Sequence, residues 1–492
     1  MAGIILLGTA SNAGKSAMVA ALLRIYKRRG FKVCPFKAQN MALNSGVTKS
    51  GEEIGRAQLM QAEAAGIEAD HRMNPILLKP TGKGVSQVIV NGRVLKNMST
   101  KEYYASKPEL FKEAVAAYES LEKEYEIIIA EGAGSASEIN LKAVDMVNMG
   151  FAKAVNIPAL LVADIDRGGM FGAVVGTHIL FDDEERKLFK GTVVNKFRGD
   201  VSILEPGLEL LEEYTEKPVL GVVPFIDVAL DAEDSLATPF WGRQDGAIDV
   251  AVIKFPHVSN ITDVAPFSLY DDVSLRYVER VEDFGNPDLL ILPGTKNTMA
   301  DLKWLKESGL YARVLRHANN QKPLFAICGG FQMLGSRVKD PMGIEEGGEI
   351  DGLHLMDVLT KITSIKEQRQ VETTITYGGD LLRNAKGLKV KGYELHMGRT
   401  TFSGKEKALT ECGGVVIEDH IFGTYLHGFF DAPGIADSVV NRLRESKRLE
   451  KHEGIDYFKF KDMQYEKLAD AVESAIDMEM LDSILGIKKE RI

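Results

Sequence analysis

Two groups of residues in this 492-residue sequence have the types and spacing that covalent and phosphoryl chemistry require. The first is Cys328 in the run Pro323-Leu-Phe-Ala-Ile-Cys-Gly-Gly-Phe-Gln-Met-Leu-Gly335. The apolar stretch predicts a strand that delivers Cys328 onto a tight turn, where two glycines relieve crowding before a helix begins. That is the layout of a nucleophile elbow. A helix N-terminus behind the sulfur favours the thiolate, and the Gly329 N–H would face a tetrahedral oxyanion. Position 326 is Ala where many elbows carry Gly, a small departure.

The matching base is His427, in Phe422-Gly-Thr-Tyr-Leu-His-Gly, another strand-and-turn setting. It would deprotonate the thiol and then protonate a leaving amine. His396, in Gly392-Tyr-Glu-Leu-His-Met-Gly398, is the competing base. Two places after His427, where related sites carry an orienting Glu, stands Phe429, which leaves Asp431 or a backbone carbonyl for that role. Pro293-Gly-Thr-Lys-Asn-Thr298 follows a strand and makes the Gly294 N–H a second oxyanion donor, though the same residues also read as a plain turn.

The second group opens the chain: Ile4-Ile-Leu-Leu-Gly8-Thr-Ala-Ser-Asn-Ala-Gly14-Lys15-Ser16. A strand, a small-residue loop, Gly-Lys-Ser and a helix are what polyphosphate binding needs, because loop N–H groups point at the anion. Thr9, Ser11, Asn12 and Gly14 would form the cradle for ATP, Lys15 would reach the outer phosphates, and Ser16 would hold Mg²⁺. Five residues separate Gly8 from Gly14, one more than in the common loop. Glu131, at the end of the apolar run Glu126–Ala130, is a second candidate Mg²⁺ ligand. Asn195, ending another such run, is a candidate for the adenine edge and equally for an ordinary turn.

The elements that must position these groups follow a βαβ pattern. Short apolar runs at Ile4–Leu7, Glu126–Ala130, Ala159–Ala163, Gly191–Val194 and Val219–Val223 read as buried parallel strands, with helical patterns at Ser16–Arg29 and Pro108–Glu124 between them. A polar, irregular break falls near residues 231–247. Beyond it Ile248–Phe255, Leu289–Leu292, Leu324–Ile327 and Val415–Ile417 read as strands, and Gln332–Val338 opens a helix. From Asp462, Tyr465, Leu468, Val472, Ile476, Met480 and Ile484 recur at helical spacing. The expectation is an α/β chain with a P-loop domain over 1–240, a second α/β domain over 247–445 and a helical extension over 446–492.

Composition excludes several classes. With 70 acidic against 60 basic residues and a net charge of −10, the chain lacks the dense positive surface that nucleic acid demands. Three scattered cysteines form no disulfide framework and no zinc pair, so a reducing, cytoplasmic setting is expected. No run has the length of a membrane span or the flanks of a signal peptide.

Further stretches carry a resemblance: Lys37-Ala-Gln-Asn-Met-Ala-Leu-Asn44, Met73-Asn-Pro-Ile-Leu-Leu-Lys-Pro80, Asp164-Ile-Asp-Arg-Gly-Gly169, Asn195-Lys-Phe-Arg-Gly-Asp200, Pro293–Thr298 and Gly392–Gly398. With them the sequence resembles the cobyric acid synthase family, glutamine-hydrolysing corrinoid amidases of cobalamin biosynthesis, over nearly its whole length. The resemblance implies an N-terminal domain similar to dethiobiotin synthetase and a C-terminal class I glutamine amidotransferase domain of the branch without the third Glu. It implies catalytic roles for Cys328 and His427. The implied reaction is amidation of adenosylcobyrinic acid a,c-diamide at its b, d, e and g carboxylates, with ATP and glutamine. Ammonia would pass internally, since in water it would be protonated. Lys37, Lys79, Arg167, Lys196 and Arg198 lie in the matching stretches and would serve a polycarboxylate. Two rivals remain: cobyrinic acid a,c-diamide synthase, and a regulatory P-loop ATPase with an inactive amidotransferase domain. Intact Cys328 and His427 weigh against the second. Nothing sets the oligomeric state.

Overall fold

A computed structural model describes residues 2–82, 84–231, 245–402 and 406–488. The expected break near 231–247 falls mostly on residues 232–244, outside the described residues. Contacts group the chain into two units. Unit 1 holds Met1–Ala42, Glu53–Asp231 and Lys461–Ile492; unit 2 holds Leu43–Glu52 and Ala232–Phe460. A linear division at 240, 247 and 446 therefore differs from this grouping at two places, a short excursion after Ala42 and the C-terminal helices.

In unit 1 the strands of the two larger sheets are β1 (Ala2–Gly8), β2 (Val33–Phe36), β3 (Gln39–Met41), β4 (Ile76–Gly82), β5 (Val85–Val90), β6 (Arg93–Ser99), β7 (Ile127–Glu131), β8 (Ala159–Asp164), β9 (Phe189–Phe197) and β10 (Val219–Pro224). Six form a parallel sheet in the order β10-β9-β8-β1-β7-β2. The central runs β1, β7 and β8 are apolar on both faces because helices cover both. Their C-terminal ends put Gly8, Glu131 and Asp164 along one edge, where ligands bind in such sheets. A second sheet, β3-β4-β5-β6, is separate from that core.

The helix expected from Pro108 begins at Thr100 and runs to Leu121. Ser99 and Glu102 make a capping box that starts it, and Pro108 lies inside the helix, where it has no N–H to donate to the preceding turn. The C-terminal pattern is two helices, Tyr457–Ala475 and Met478–Leu485, because Asp477 caps a new start and its N–H donates to Leu220 O. Tyr465, Leu468, Val472 and Ile476 join Met18, Val19 and Leu22 of the first helix (Lys15–Arg28) in one core. The acidic side chains beside that stripe are paired: Arg24 with Asp462 and Glu466, and Arg28 with Asp470 and Glu473.

Unit 2 contains β11 (Ile248–Ile253), β12 (Val273–Val278), β13 (Leu289–Leu292), β14 (Leu324–Ile327), β15 (Arg337–Asp340), β16 (Gly348–Asp351), β17 (Val358–Thr374), β18 (Lys389–Phe402), β19 (Lys407–Thr410), β20 (Gly413–Ile417), β21 (Ile421–Thr424) and β22 (Leu426–His427). Its main sheet runs β12-β11-β13-β14-β21-β20-β19 and is parallel from β12 to β21. A second sheet, β16-β15-β17-β18-β22, contains the longest hairpin of the chain. The helix expected at Gln332–Val338 spans Gly329–Leu334 instead, and Arg337–Asp340 is a strand. Gly335 takes an extended conformation, after which Val338 and Asp340 are buried while Arg337 and Lys339 are half-buried, a period of two.

Candidate active sites

In unit 2, Cys328 sits between β14 and its helix with φ 51° and ψ −109°. This is a strained conformation for a residue with a Cβ, kept where the surroundings over-determine it. Gly330 shows why the turn needs glycine: a Cβ there would lie 2.2 Å from Leu292 O. The thiol donates to Leu395 O at 3.7 Å.

His427 ends β22 and is 1% exposed, with the Cys328 sulfur near enough to act on its charge. Its Nδ1 lies 2.7 Å from Asp263 Oδ2, and Asp263 Oδ1 accepts the Gly428 N–H at 2.9 Å. Asp263 therefore orients the imidazole, the role for which the sequence offered Asp431 or a backbone carbonyl. Burial opposes protonation of His427, but the charge and hydrogen bond of Asp263, with the Cys328 sulfur, outweigh it and push its pKa up to about 10. Asn260, in left-handed backbone at φ 56°, places Nδ2 3.5 Å from both ring nitrogens. It is itself held by Asn44 and Ser45.

Gly294 faces this pair: a Cβ there would lie 3.0 Å from His427 Cε1. Gly329 is equally close-packed, its notional Cβ 3.1 Å from Thr295 N. Gly294 thus borders the imidazole, and Gly329 follows Cys328 directly in the chain, packed against Thr295 and Thr298. His396 is placed otherwise. It stacks on Tyr425 at 3.7 Å, its Nδ1 meets Gly398 O at 2.8 Å, and burial pushes its pKa down to about 4. Phe429 is core, packed against Phe325.

In unit 1 the loop after β1 curls around Lys15, whose Nζ donates to Gly134 O at 2.9 Å and Ala10 O at 3.3 Å. Gly14 has φ 98°, which its lack of a Cβ permits. Thr9 O accepts from Ser135 Oγ at 2.9 Å, and Ser11 and Asn12 are exposed on the loop. Asn195 Nδ2 donates to Ala13 O at 2.9 Å, so it braces this loop. Ser16 Oγ donates to Glu131 Oε1 at 2.9 Å, and Gln61 and Lys37 also bind that carboxylate.

The hydroxyl and carboxylate are hard oxygen donors within hydrogen-bond distance of each other, and Lys37 shows that this point attracts a cation. Those residues fit Mg²⁺, which takes few protein ligands and otherwise keeps water and phosphate. Among the described residues no cluster of three or more His, Cys, Asp or Glu is poised for a metal.

The cations expected to meet a polycarboxylate divide. Lys37 and Lys79 are buried and paired with Glu131 and Glu53 at 2.8 and 2.9 Å, so they hold the scaffold together. Lys196, Arg167 and Arg198 gather around Asp164 and Asp166.

Residues 249–435 match the CobB/CobQ-like glutamine amidotransferase domain, and residues 4–237 match the CobQ/CobB/MinD/ParA nucleotide binding domain. Curated relatives match end to end. A cobyric acid synthase of Lachnoclostridium phytofermentans is 46% identical, with 98% of each chain covered. The chain belongs to the cobyric acid synthase family. Other members are as similar: that of Ruminiclostridium cellulolyticum at 47% identity, covering 98% of this chain and 96% of the relative, and that of Clostridium acetobutylicum at 44% with both chains fully covered. Membership makes the chain an amide ligase, with a nucleotide-binding and a glutamine amidotransferase domain in one polypeptide. No helix among the described residues is long and apolar enough to cross a membrane.

Proposed function

We propose that the chain uses ATP and glutamine to amidate the b, d, e and g carboxylates of adenosylcobyrinic acid a,c-diamide, giving adenosylcobyric acid. The observation that carries this is the pairing, in one chain, of a Cys328–His427–Asp263 triad with a Lys15–Ser16 phosphate loop. In unit 2 the Cys328 thiolate attacks the carboxamide carbon of glutamine, and Gly294 and Gly329 N–H groups stabilise the oxyanion. His427 gives its proton to the leaving ammonia, and water then releases glutamate from the thioester.

In unit 1 a corrinoid carboxylate oxygen attacks the γ-phosphorus of ATP, ADP leaves, and ammonia displaces phosphate from the acyl phosphate. Lys15 stabilises the transferring charge. Ser16 and Glu131 would hold Mg²⁺, which neutralises phosphate charge when bound. Asn195 lies beside the loop with its carboxamide oxygen still able to accept from an adenine amino group.

The test is mass spectrometry of timed samples containing purified protein, MgATP, glutamine and the a,c-diamide. Four successive amides are expected. Failure on the a,c-diamide alongside turnover of cobyrinic acid would favour the diamide synthase. Nucleotide hydrolysis with no glutaminase activity would favour the regulatory ATPase.

A further inference from the structure

Unit 1 contains a cavity of about 630 Å³ that neither the triad nor the phosphate loop accounts for. One wall is the small sheet β3–β6, through Gln39, Ser86 and Met98; another is the Thr100–Leu121 helix, through Tyr103, Tyr104 and Lys107. Its floor is the segment Ala133–Ala136. That floor is tied to the phosphate loop, since Gly134 O receives Lys15 Nζ, Ser135 Oγ donates to Thr9 O, and the Ala136 N–H donates to Gly8 O. Asn148 fixes it from the other side through Ala133 and Ser135. A group resting on this floor lies beside the place where the outer phosphates of a nucleotide would be.

The mouth is apolar and solvent-facing: Met41, Tyr104, Ile139 and Leu180 are 56%, 39%, 61% and 40% exposed. Large apolar side chains are exposed elsewhere on the chain too, but here four of them surround one opening, and an apolar rim around a cavity suits a ligand. Inside stands one cation with an unusual environment. Lys107 Nζ donates to Val144 O at 3.1 Å and lies 4.7 Å over the Tyr104 ring, yet makes no ion pair among the described residues. Lys142, on the same wall, is by contrast paired with Glu185 at 2.7 Å. Asp145, which lines the same cavity, acts on it electrostatically without forming an ion pair, and a half-buried ammonium so placed attracts a further carboxylate, because pairing restores the solvation it has lost.

We infer that this cavity is the corrinoid acceptor site: the macrocycle lies against the apolar mouth, one carboxylate arm descends to the Gly134–Ser135 floor, and Lys107 binds a carboxylate. The assignment rests on the proposed function and adds where its acceptor sits. An apolar rim with one cation also suits serial amidation, because it grips the ring face without fixing which arm points down.

The test is equilibrium dialysis of cobyrinic acid a,c-diamide, followed by its own visible absorbance, against wild-type protein, Lys107→Met, Lys107→Arg and Ile139→Asp. Lys107→Met should weaken binding about ten- to a hundredfold, the effect of losing a charge-assisted contact. Lys107→Arg should retain most of it, and Ile139→Asp, an exposed position where folding is not at stake, should weaken it as well. Cobinamide, a corrinoid with amides in place of the acids, should bind weakly and be indifferent to Lys107→Met. Unchanged diamide binding in both Lys107→Met and Ile139→Asp, with wild type still binding and amidating it, would overturn the site and leave the function standing. Wild-type protein that neither binds nor amidates any corrinoid would overturn the function, and the site with it.

Discussion

Asp263 holds His427 from 164 residues away, one carboxylate oxygen on the imidazole Nδ1 and the other on the next backbone N–H. The second bond fixes the carboxylate relative to the turn that carries the imidazole, so the ring has one orientation and Nε2 is left for the sulfur. Asp263→Asn keeps the shape and removes the charge. Glutamine hydrolysis should fall about 10²–10⁴-fold, the scale seen when an orienting Asp in a triad becomes an amide. Synthesis from ammonium chloride should continue. A glutaminase assay beside an ammonia-dependent amidation assay checks both halves, and a small drop in hydrolysis would demote Asp263 to a scaffold residue.

The same pair sets a pH dependence of stability. His427 has a folded pKa of about 10 against an ordinary 6.5, because Asp263 and the sulfur outweigh its burial. A raised pKa contributes stability that is fully present below pH 6.5 and lost as pH climbs through 10. The gap in melting temperature between wild type and Asp263→Asn should therefore be wide at pH 6.5 and narrow as pH climbs toward 10. A gap that widens with pH would reverse the assigned charge state.

Lys15→Ala separates the two chemistries from the other side. Amidation should fall about 10²–10³-fold with either nitrogen donor, since a preorganised charge at the phosphates is gone, while Cys328 keeps its environment. Cys328→Ala should do the converse, abolishing use of glutamine and sparing use of ammonia. Parallel loss in both variants with both donors would mean that the half-reactions are not separable.

The contrast between what the sequence revealed and what it hid follows from range. The phosphate loop and the elbow are contiguous strand–turn–helix signals, so their chemistry could be read locally from Gly14-Lys15-Ser16 and Cys328-Gly-Gly. Asp263 and Asn260 were missed because their role exists only once the segment that follows β11 meets the end of β22. A signal was there: both lie in the connection after a parallel strand's C-terminal end, Asn260 at the N-cap of a 3-10 helix and Asp263 in its first turn, where such sheets place ligands. Asp431 and a backbone carbonyl were the alternatives the sequence offered near His427, and nearness along the chain says little about side-chain direction. Pro108 misled the helix start because local propensity outweighed the Ser99–Glu102 box nine residues earlier. Lys37 and Lys79 read as substrate cations because sequence does not distinguish a solvated charge from one buried against Glu131 or Glu53. The long hairpin β17–β18 escaped notice because its alternation is interrupted where the register shifts between Ile362 and Glu367.

The helices at the C-terminus are part of the unit 1 core, which gives a stability prediction far from either site. Leu468 is 3% exposed and packs in the cluster that contains Met18, Val19 and Leu22. Leu468→Ala should cost about 2–5 kcal/mol, the transfer term plus the cavity left behind. Those neighbours belong to the helix that begins at Lys15 and Ser16, so the loss should fall on the nucleotide half. Denaturant unfolding with a nucleotide present and absent should show a destabilised transition that ATP partly restores, since ligand bound only to the folded state adds stability by mass action. Glutaminase activity, housed in unit 2, should be nearly unchanged at temperatures below that transition. A loss of glutaminase equal to the loss of ATP-dependent amidation would instead show that the two units unfold as one.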